Sequence, residues 1–344
     1  MAQRTQPHSS GTALVAGGAG FVGSHLCDAL LARGQRVICV DSYLTGSEAN
    51  VRPLMNHPGF TVIAQDICET TTVEEQVDYI YNLACAASPP QYQADPVHTM
   101  MTCVVGTANL LALAERHGAS FLQASTSEVY GDPEEHPQRE DYRGNVSCTG
   151  PRACYDEGKR AAEALCFDML RAGRVDARVA RIFNTYGPRM QPNDGRIVSN
   201  LIVQSLSGLP LTIYGTGEQT RSFCFVSDLV EGLIRLMMVK PNPEMPVNLG
   251  NPGEFTINEL ARMVLDMVPN AAGITRGPLP KDDPQRRRPD ISRAKELLQW
   301  EPTVSLAEGL RQTVDWFAAN LPGDMATQPV PVHGQERAAL GIGA

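Results

Sequence analysis

The residues with the clearest chemical potential are Tyr155 and Lys159, which lie four positions apart in the string Gly150-Pro-Arg-Ala-Cys-Tyr155-Asp-Glu-Gly-Lys159. On a helix, positions i and i+4 share a face, so the ammonium of Lys159 is expected beside the phenol of Tyr155. A free phenol has a pKa of about 10, which is too high for a base at neutral pH. A neighbouring cation favours the phenolate, so the pair is a candidate general base.

A glycine-rich segment, Leu14-Val-Ala-Gly17-Gly-Ala-Gly20-Phe-Val-Gly23, lies far upstream of this pair. It follows an apolar run and opens an amphipathic one, which is the strand-turn-helix context of a dinucleotide-binding loop. Glycines let the backbone approach a pyrophosphate, which then rests on the N-terminus of the helix. A tight turn in an α/β protein that binds no nucleotide is the alternative.

Acidic residues after the next strands indicate which dinucleotide is bound. Asp41 lies 18 residues beyond Gly23. A carboxylate there accepts hydrogen bonds from the adenosine ribose and repels a 2′-phosphate, which favours NAD over NADP. Asp66 and Ile67 are placed to meet the adenine edge, and a bound nicotinamide cation would further favour the Tyr155 phenolate. The residues expected to hold NAD are Gly17, Gly20, Phe21, Val22, Asp41, Asp66, Ile67, Leu83, Tyr155 and Lys159.

Two further polar side chains, Thr126 and Glu128, directly follow an apolar run in Ser125-Thr-Ser-Glu-Val-Tyr-Gly131. They are therefore expected at the carboxyl edge of a sheet, where ligands bind in open α/β folds. The hydroxyl of Thr126 can bond the substrate oxygen that is oxidised, and Glu128 offers a carboxylate to the neighbouring carbons. Helix capping by Thr126 is the alternative.

Alternating strand and helix signals predict the framework that positions these groups. Strands are expected at 12–16, 36–41, 60–66, 79–84, 120–124 and 177–183, and helices at 21–33, 96–117 and 153–172. This order predicts an α/β fold, a Rossmann-like doubly wound parallel sheet with a smaller C-terminal substrate-binding region. We expect a disordered leader at 1–11, an NAD-binding domain at 12–186 to which the chain returns from its C-terminal part, a mainly substrate-binding region at 187–320, and a disordered tail at 321–344.

Composition narrows the class of protein. The 344 residues carry a formal net charge of −9, which argues against binding to nucleic acid or to an anionic membrane. Nine cysteines, without a C-x-x-C spacing, indicate reduced thiols in a cytoplasmic protein. No His/Cys cluster has the spacing of metal ligands, so no metal is expected. The first ten residues lack the apolar core of a signal peptide.

With these motifs the chain resembles the extended short-chain dehydrogenase/reductases that act on nucleotide sugars, and among them the UDP-glucuronate decarboxylases (UDP-xylose synthases). The resemblance runs from about residue 12 to about residue 317. Sugar 4,6-dehydratases are similar but carry Asp-Glu where this chain has Ser127-Glu128, and the missing acid disfavours dehydration. The strings that carry the resemblance are Gly17-Gly-Ala-Gly-Phe-Val-Gly23, Ala124-Ser-Thr-Ser-Glu-Val-Tyr-Gly-Asp-Pro133, Gly150-Pro-Arg-Ala-Cys-Tyr-Asp-Glu-Gly-Lys159, Ala180-Arg-Ile-Phe-Asn-Thr-Tyr-Gly-Pro-Arg-Met190, Asn193-Asp-Gly-Arg-Ile-Val-Ser-Asn200 and Asp282-Asp-Pro-Gln-Arg-Arg-Arg-Pro-Asp290.

The resemblance implies an internal redox cycle on a UDP-sugar. Tyr155 takes the proton of the 4-hydroxyl while NAD accepts hydride from C4, and the resulting 4-keto-hexuronate is a β-keto acid. Such acids lose carbon dioxide readily because the carbanion delocalises into the ketone, so the enzyme mainly orients the carboxylate. Glu128 is then expected to be the acid/base near C5. Return of hydride to C4 gives UDP-xylose.

The resemblance also implies a set of substrate contacts. Arg287 is expected nearest the uronate carboxylate. For Arg196 and Arg221, solvated surface positions are the alternative. The residues expected to bind the substrate are Ser88, Tyr92, Asn184, Arg196, Tyr214, Arg221 and Arg287.

The chain departs from the family in two places close to the expected site. Where the decarboxylases usually read Ala-Ser-Pro-Ala-Ser-Pro-Pro, this chain has Cys85 in the string Ala84-Cys-Ala-Ala-Ser-Pro-Pro90. The following helix has Met101 and Cys103 where the family usually places a lysine and an asparagine. A lost cation weakens the hold on a keto intermediate, so we expect some UDP-4-keto-pentose to be released alongside UDP-xylose.

Two other functions remain open at this point. A nucleotide-sugar 4-epimerase, for instance of UDP-glucuronate, would use the same oxidation and then present the opposite face of the ketone. A non-catalytic NAD-binding regulator would have no need of Thr126, Tyr155 and Lys159 together. By analogy with the superfamily, helices 96–117 and 153–172 are expected to pair across the axis of a homodimer.

Overall fold

The computed structural model describes residues 11–278 and 287–321, and its centre is the predicted parallel sheet. The strands of this part are β1 Thr12–Ala16, β2 Arg36–Asp41, β3 Phe60–Ala64, β4 Tyr79–Asn82, β5 Ser120–Thr126, β6 Ala177–Ile182, β7 Thr185–Tyr186, β8 Leu211–Tyr214, β9 Thr220–Ser222, β10 Cys224–Phe225, β11 Val247–Leu249, β12 Glu254–Thr256 and β13 Ile274–Gly277. Seven of them form one sheet in the order β11-β6-β5-β4-β1-β2-β3, and every neighbouring pair is parallel. The Rossmann-like prediction is confirmed.

Helices connect these strands on both faces of the sheet. They are α1 Phe21–Ala32, α2 Glu48–Val51, α3 Pro89–Ala94, α4 Pro96–Met101, α5 Thr107–His117, α6 Ala153–Arg171, α7 Ile197–Leu206, α8 Val226–Met238, α9 Ile257–Met267, α10 Ser292–Leu298 and α11 Leu306–Asn320. Short 3₁₀ turns span Arg52–Leu54 and Ser127–Tyr130. The predicted helix 96–117 is present, but it contains one π-helical turn, Thr102–Gly106, between α4 and α5.

Side chains along the strands alternate between the two faces of the large sheet, and each face has its own apolar core. Val15 and Val37 join the apolar cluster that contains residues of α1 and α8. Their neighbours Leu14 and Ile38 join the cluster that contains residues of α5 and α6. Successive side chains of a strand point to opposite faces, so a sheet covered on both sides becomes apolar at nearly every position.

Two predicted strands end earlier than expected because side chains bond to the nearby backbone. β3 stops at Ala64, and beyond it the Asp66 carboxylate accepts the amide of Cys68 at 2.8 Å. β4 stops at Asn82, whose side-chain oxygen accepts the amide of Ala84 at 3.2 Å. Such bonds compete with the strand ladder. In contrast, β5 runs two residues further than predicted, because Thr126 pairs with Ile182 of β6.

The second half of the chain forms three small pairings and also returns to the large sheet. β7 pairs with β10, β8 with β13, and β9 with β12. The return strand β11 pairs with β6 at the end of the large sheet. The predicted division at residues 186 and 187 stays a prediction. Nearly all of the predicted leader and tail lies outside the described residues.

Candidate active site

The loop between β1 and α1 brings two stretches of backbone into close approach. Gly17 has φ +76°, a conformation that residues with a side chain rarely adopt. A Cβ on Gly23 would lie 2.0 Å from the carbonyl oxygen of Gly17. Only glycine at both positions allows this turn, which leaves the amino end of α1 open to an anion.

Asp41 ends β2 and its carboxylate lies against this loop. The amide of Ala19 donates to one oxygen at 2.9 Å, and the amide of Tyr43 donates to the other at 2.8 Å. Burial raises the pKa of Asp41, although these donors oppose the rise. Each carboxylate oxygen has a further lone pair, so the group can also accept a ribose hydroxyl.

A cleft runs along the carboxyl edge of the sheet from this loop. Its walls contain eight of the residues predicted to hold NAD: Gly17, Gly20, Phe21, Val22, Asp41, Asp66, Ile67 and Leu83. Ser88, which was predicted to bind substrate, lines the same cleft. A glycine cradle for the pyrophosphate, an acid at the ribose position and apolar side chains along the walls fit a dinucleotide, so this chain's residues suit NAD.

At one end of the cleft, Asp66 meets His98, and their Oδ2 and Nε2 atoms are 2.7 Å apart. Together with Cys68, these residues place three potential metal-ligand atoms within 4.8 Å of one another. Sequence spacing missed this group because His98 comes from α4, far along the chain from the other two residues. All three residues are partly exposed.

Tyr155 lies on α6 and is 5% exposed. Its ring stacks on that of Tyr92, with the ring centres 4.9 Å apart and an angle of 4° between the ring planes. The Tyr92 hydroxyl is buried and has no hydrogen-bond partner among the described residues. A buried polar atom normally has a partner, so this hydroxyl agrees with the predicted substrate contact of Tyr92, which stays a prediction.

Lys159 lies one turn further along α6 and is almost fully buried. Its Nζ donates to the carbonyl oxygen of Ala124 at 2.9 Å and lies 5.8 Å from the centre of the Tyr155 ring. Lys159 and a bound nicotinamide cation are together expected to lower the pKa of Tyr155, and the residues of the protein alone do not lower it. Burial raises the pKa of Tyr155 well above 10, and the hydrogen bond to Thr126 only partly opposes this rise.

Thr126 ends β5 and performs the capping role that was the alternative for it, while its predicted bond to the substrate oxygen stays a prediction. Its Oγ1 accepts the amide of Glu128 at 3.2 Å and so caps the 3₁₀ turn Ser127–Tyr130. It also bonds the phenol of Tyr155. The capping role therefore does not exclude the catalytic one.

Glu128 is held by two arginines, Arg152 and Arg287. Arg152 donates to Oε2, and Arg287 donates to both carboxylate oxygens. Burial alone would raise the pKa of Glu128, but the two guanidinium groups lower it. The carboxylate is therefore ionised, which suits a base or an orienting group better than a proton donor.

Asp156 is a second carboxyl group in this cluster. Burial, reinforced by the charge of Glu128, raises the pKa of Asp156 to about 7. Arg152 and Asp156 were not singled out from the sequence, although both flank Tyr155 in the string that carries the resemblance. Their i,i+4 spacing is the signal that was available.

The remaining residues predicted to bind substrate fall in different places. Arg196 lines the cleft, pairs with Asp194 at 2.6 Å and lies 5.7 Å over the ring of Phe21. The Arg196 side chain is 28% exposed, and its predicted contact with substrate stays a prediction. Tyr214, Arg221 and Asn184 are partly buried in or near the small strand pairings and do not line the cleft. Their predicted contact with substrate stays a prediction.

Comparison with known proteins supplies the family. The sequence profile described as "NAD dependent epimerase/dehydratase family" matches residues 13–250. The chain is 53% identical over 318 residues to UDP-glucuronic acid decarboxylase 1 of Danio rerio, which covers 92% of this chain and 75% of that protein. It is 56% identical over 311 residues to UDP-glucuronic acid decarboxylase 4 of Arabidopsis thaliana, which covers 90% of this chain and 69% of that protein.

Solved structures agree at lower identity. An epimerase from Methanothermobacter thermautotrophicus has a TM-score of 0.84 at 28% identity, over 91% of this chain and 94% of that one. A UDP-glucuronic acid 4-epimerase from Bacillus cereus was solved with UDP-glucuronic acid and NAD. It has a TM-score of 0.81 at 29% identity, over 90% of this chain and 99% of that one. The chain belongs to the NAD dependent epimerase/dehydratase family and, within it, to the UDP-glucuronic acid decarboxylases.

Proposed function

We propose that this protein converts UDP-glucuronate to UDP-xylose and carbon dioxide through a UDP-4-keto-hexuronate. Its relatives at 53% and 56% identity are UDP-glucuronic acid decarboxylases. Identity of this size over nine-tenths of the chain supports a shared substrate. The observation that carries the proposal is the pairing of Glu128 with Arg152 and Arg287 beside the buried Tyr155.

The first half of the reaction is a proton removal by the chain's own residues. NAD, when bound, supplies the hydride acceptor for C4 and the hydride that later restores C4. Tyr155 takes the proton of the 4-hydroxyl, and Thr126 holds the phenol in place through its hydrogen bond. Lys159 supplies a fixed positive charge one helical turn away, which stabilises the phenolate once it forms.

The second half requires an arginine for the uronate and a source of a proton for C5. The Arg287 side chain is 7% exposed, so a carboxylate that reached it would be bound in a site with little competing water. Glu128 is ionised and can return a proton only after receiving one. Asp156, whose pKa is about 7, is the neighbouring group able to supply it.

The test is a product analysis. Purified protein is incubated with UDP-glucuronate, with and without added NAD, and the products are followed by mass spectrometry and proton NMR. Carbon dioxide with a UDP-pentose is the expected result. A product of unchanged mass would instead establish the 4-epimerase, the reaction named for the structural relative from Bacillus cereus.

Release of some UDP-4-keto-pentose is the finer part of the proposal. Of the two departures from the family in the helix, Cys103 is buried near Lys159, whereas Met101 is 44% exposed and does not line the cleft. A weaker hold on the ketone would therefore come from position 103, where a hydrogen-bonding amide is lost, rather than from the lost cation at position 101. Product mixtures that contain UDP-xylose alone, even at early times, would contradict it.

Two properties of the whole protein belong to the proposal, its oligomeric state and its location. A homodimer is supported by the exposed apolar residues of α4, of which Val97 is 72% exposed. A cytoplasmic location is supported by nine cysteines that are all unpaired. Among the described residues, one helix, Pro96–His117, is long and apolar enough to cross a membrane, and half of its most apolar stretch is buried in the fold.

A further inference from the structure

Two cysteines at the inner end of the cleft lie in contact. The Sγ atoms of Cys85 and Cys103 are 3.4 Å apart. Cys85 follows β4 in the loop that lines the cleft, and Cys103 lies in the π-helical turn Thr102–Gly106. A disulfide has an S–S length of about 2.05 Å, so an approach of little more than 1 Å separates this pair from a bond.

The pair is built into the catalytic centre. Cys85 packs against the cluster of Ala86, Tyr92 and Tyr155. Cys103 faces α6 so closely that a Cβ on Gly158 would lie 3.0 Å from the Cys103 Cβ. Gly158 directly precedes Lys159, so both sulfurs lie against the residues that handle the proton.

The surroundings also favour a reactive thiolate. The hydrogen bond from the Cys85 thiol lowers the pKa of Cys103 to about 7, against the effect of burial and with help from the charge of Lys159. The same contact raises the pKa of Cys85, which keeps the proton. The other titratable groups near the pair are Tyr155, Cys154 and Cys68. One shared negative charge makes the pair a nucleophile near neutral pH.

Access distinguishes this pair from a second one in the same protein. Cys27 and Cys39 also share a hydrogen bond, but both are fully buried and the pKa of Cys27 is raised. Cys85 is partly exposed to the cleft. A small oxidant in the cleft can therefore reach the pair through Cys85, which is hydrogen-bonded to the buried Cys103.

We propose that Cys85 and Cys103 form a redox modification site, which hydroperoxides oxidise to a disulfide that reversibly stops catalysis. The thiolate of the pair attacks one peroxide oxygen, which cleaves the O–O bond and gives a sulfenic acid and, after protonation, water or an alcohol. The second sulfur then displaces the hydroxyl of the sulfenic acid as water. Two thiols lose two electrons and two protons, and the peroxide accepts both.

The bond would act on the catalytic centre through position. Forming the disulfide draws the loop after β4 toward the π turn. The Cys85 side chain moves with the loop, and it is packed against the cluster that contains Tyr155. A misplacement of about 1 Å at a catalytic group costs on the order of 10²-fold in rate. Activity should fall by a factor of this order on oxidation and return with a reductant.

The test reads the bond and the activity separately. The purified protein is treated with hydrogen peroxide, free thiols are alkylated, and the chain is cleaved before aspartates. Cys85 is then the one cysteine of fragment 78–94, and Cys103 is the one cysteine of fragment 95–131. The expected result is that the two fragments appear joined, with two hydrogens fewer, and separate after dithiothreitol. This readout does not depend on the proposed substrate.

Variants decide whether that bond controls catalysis. In Cys85→Ser and Cys103→Ser the joined fragments should disappear, and the reversible part of the activity loss should disappear with them. Cys148→Ser, which removes an exposed cysteine, should leave both effects in place. Separate fragments after oxidation would overturn the proposal, as would joined fragments in a protein that keeps its activity.

Discussion

The phenol of Tyr155 is more strongly protonated in this protein than free tyrosine is. Burial against Tyr92 and the loop after β4 raises the pKa of Tyr155. The ammonium of Lys159 donates its hydrogen bond to the carbonyl oxygen of Ala124 and not to the phenol. Further positive charge in the cleft favours the phenolate. The oxidised nicotinamide ring would supply such a charge, so we expect proton removal to depend on bound NAD.

Tyr155→Phe is expected to remove activity while keeping the fold. The variant ring still stacks on Tyr92, but no oxygen remains to take the proton, and loss of a general base lowers kcat by about 10²–10⁴-fold. Steady-state rates with UDP-glucuronate measure this effect. Tyr79→Phe is the matched control, because Tyr79 begins β4 and does not line the cleft. Equal losses in both variants would contradict the role of Tyr155.

Asp156→Asn tests the buried carboxyl group through stability. The pKa of Asp156 is about 7 in the folded protein, whereas an unfolded aspartate has a pKa of about 3.9. Between these values only the unfolded chain releases the proton, so stability falls as the pH rises, and above about pH 7 the full loss is present. The Tm difference between Asp156→Asn and wild type should therefore increase in favour of the variant from pH 5 to pH 8.

The control for this titration is Asp168→Asn on the same helix, where the Asp168 side chain is 69% exposed. Its Tm should follow the wild-type curve over the whole pH range. Parallel curves for Asp156→Asn and wild type would show that Asp156 is ionised in the folded protein and would contradict the assignment.

Elements that follow from a local pattern of apolar residues were predictable from the sequence. Features that depend on a contact with a distant residue were not. The positions of β1 and β2 follow from apolar runs and were predicted to the residue. The π turn Thr102–Gly106 left no signal, because its residues also fit a regular helix. The link from Glu128 to Arg287 joins residues 159 positions apart, a distance over which local patterns carry no information.

The turn between β1 and α1 provides the prediction at this scale. In Gly23→Ala the new methyl group would overlap the carbonyl of Gly17, so the loop backbone must shift. Overpacking of this kind costs about 1–3 kcal/mol, and the shift moves the amides that face the pyrophosphate. A lower Tm, and loss of the Tm increase that NAD produces in wild type, are expected in thermal unfolding. Gly150→Ala should keep both, since its nearest neighbour is 3.5 Å away.

In the whole molecule, the catalytic cluster depends on segments that only the complete fold brings together. Thr126 and Glu128 follow β5, Tyr155 lies on α6, and Arg287 comes from the last part of the chain. Sequence motifs identified each of these residues, but not that Arg287 would hold Glu128 before any substrate binds. A resemblance supplies residue roles, whereas the charge state of a cluster depends on all of its neighbours.

The surface of α4 leads to the prediction about assembly. Val97 and Met101 are 72% and 44% exposed and lie i,i+4 on one face, so an apolar patch stands open on the single chain. A second copy that buries this face would remove it from water. Light scattering after size exclusion should give about twice the chain mass of 37.3 kDa for wild type. The variant Val97→Asp should give the mass of a single chain. Met55→Asp changes a 56% exposed apolar residue outside this helix and should stay dimeric. A wild-type protein that elutes as a single chain, or equal dissociation of both variants, would show that α4 is not the contact.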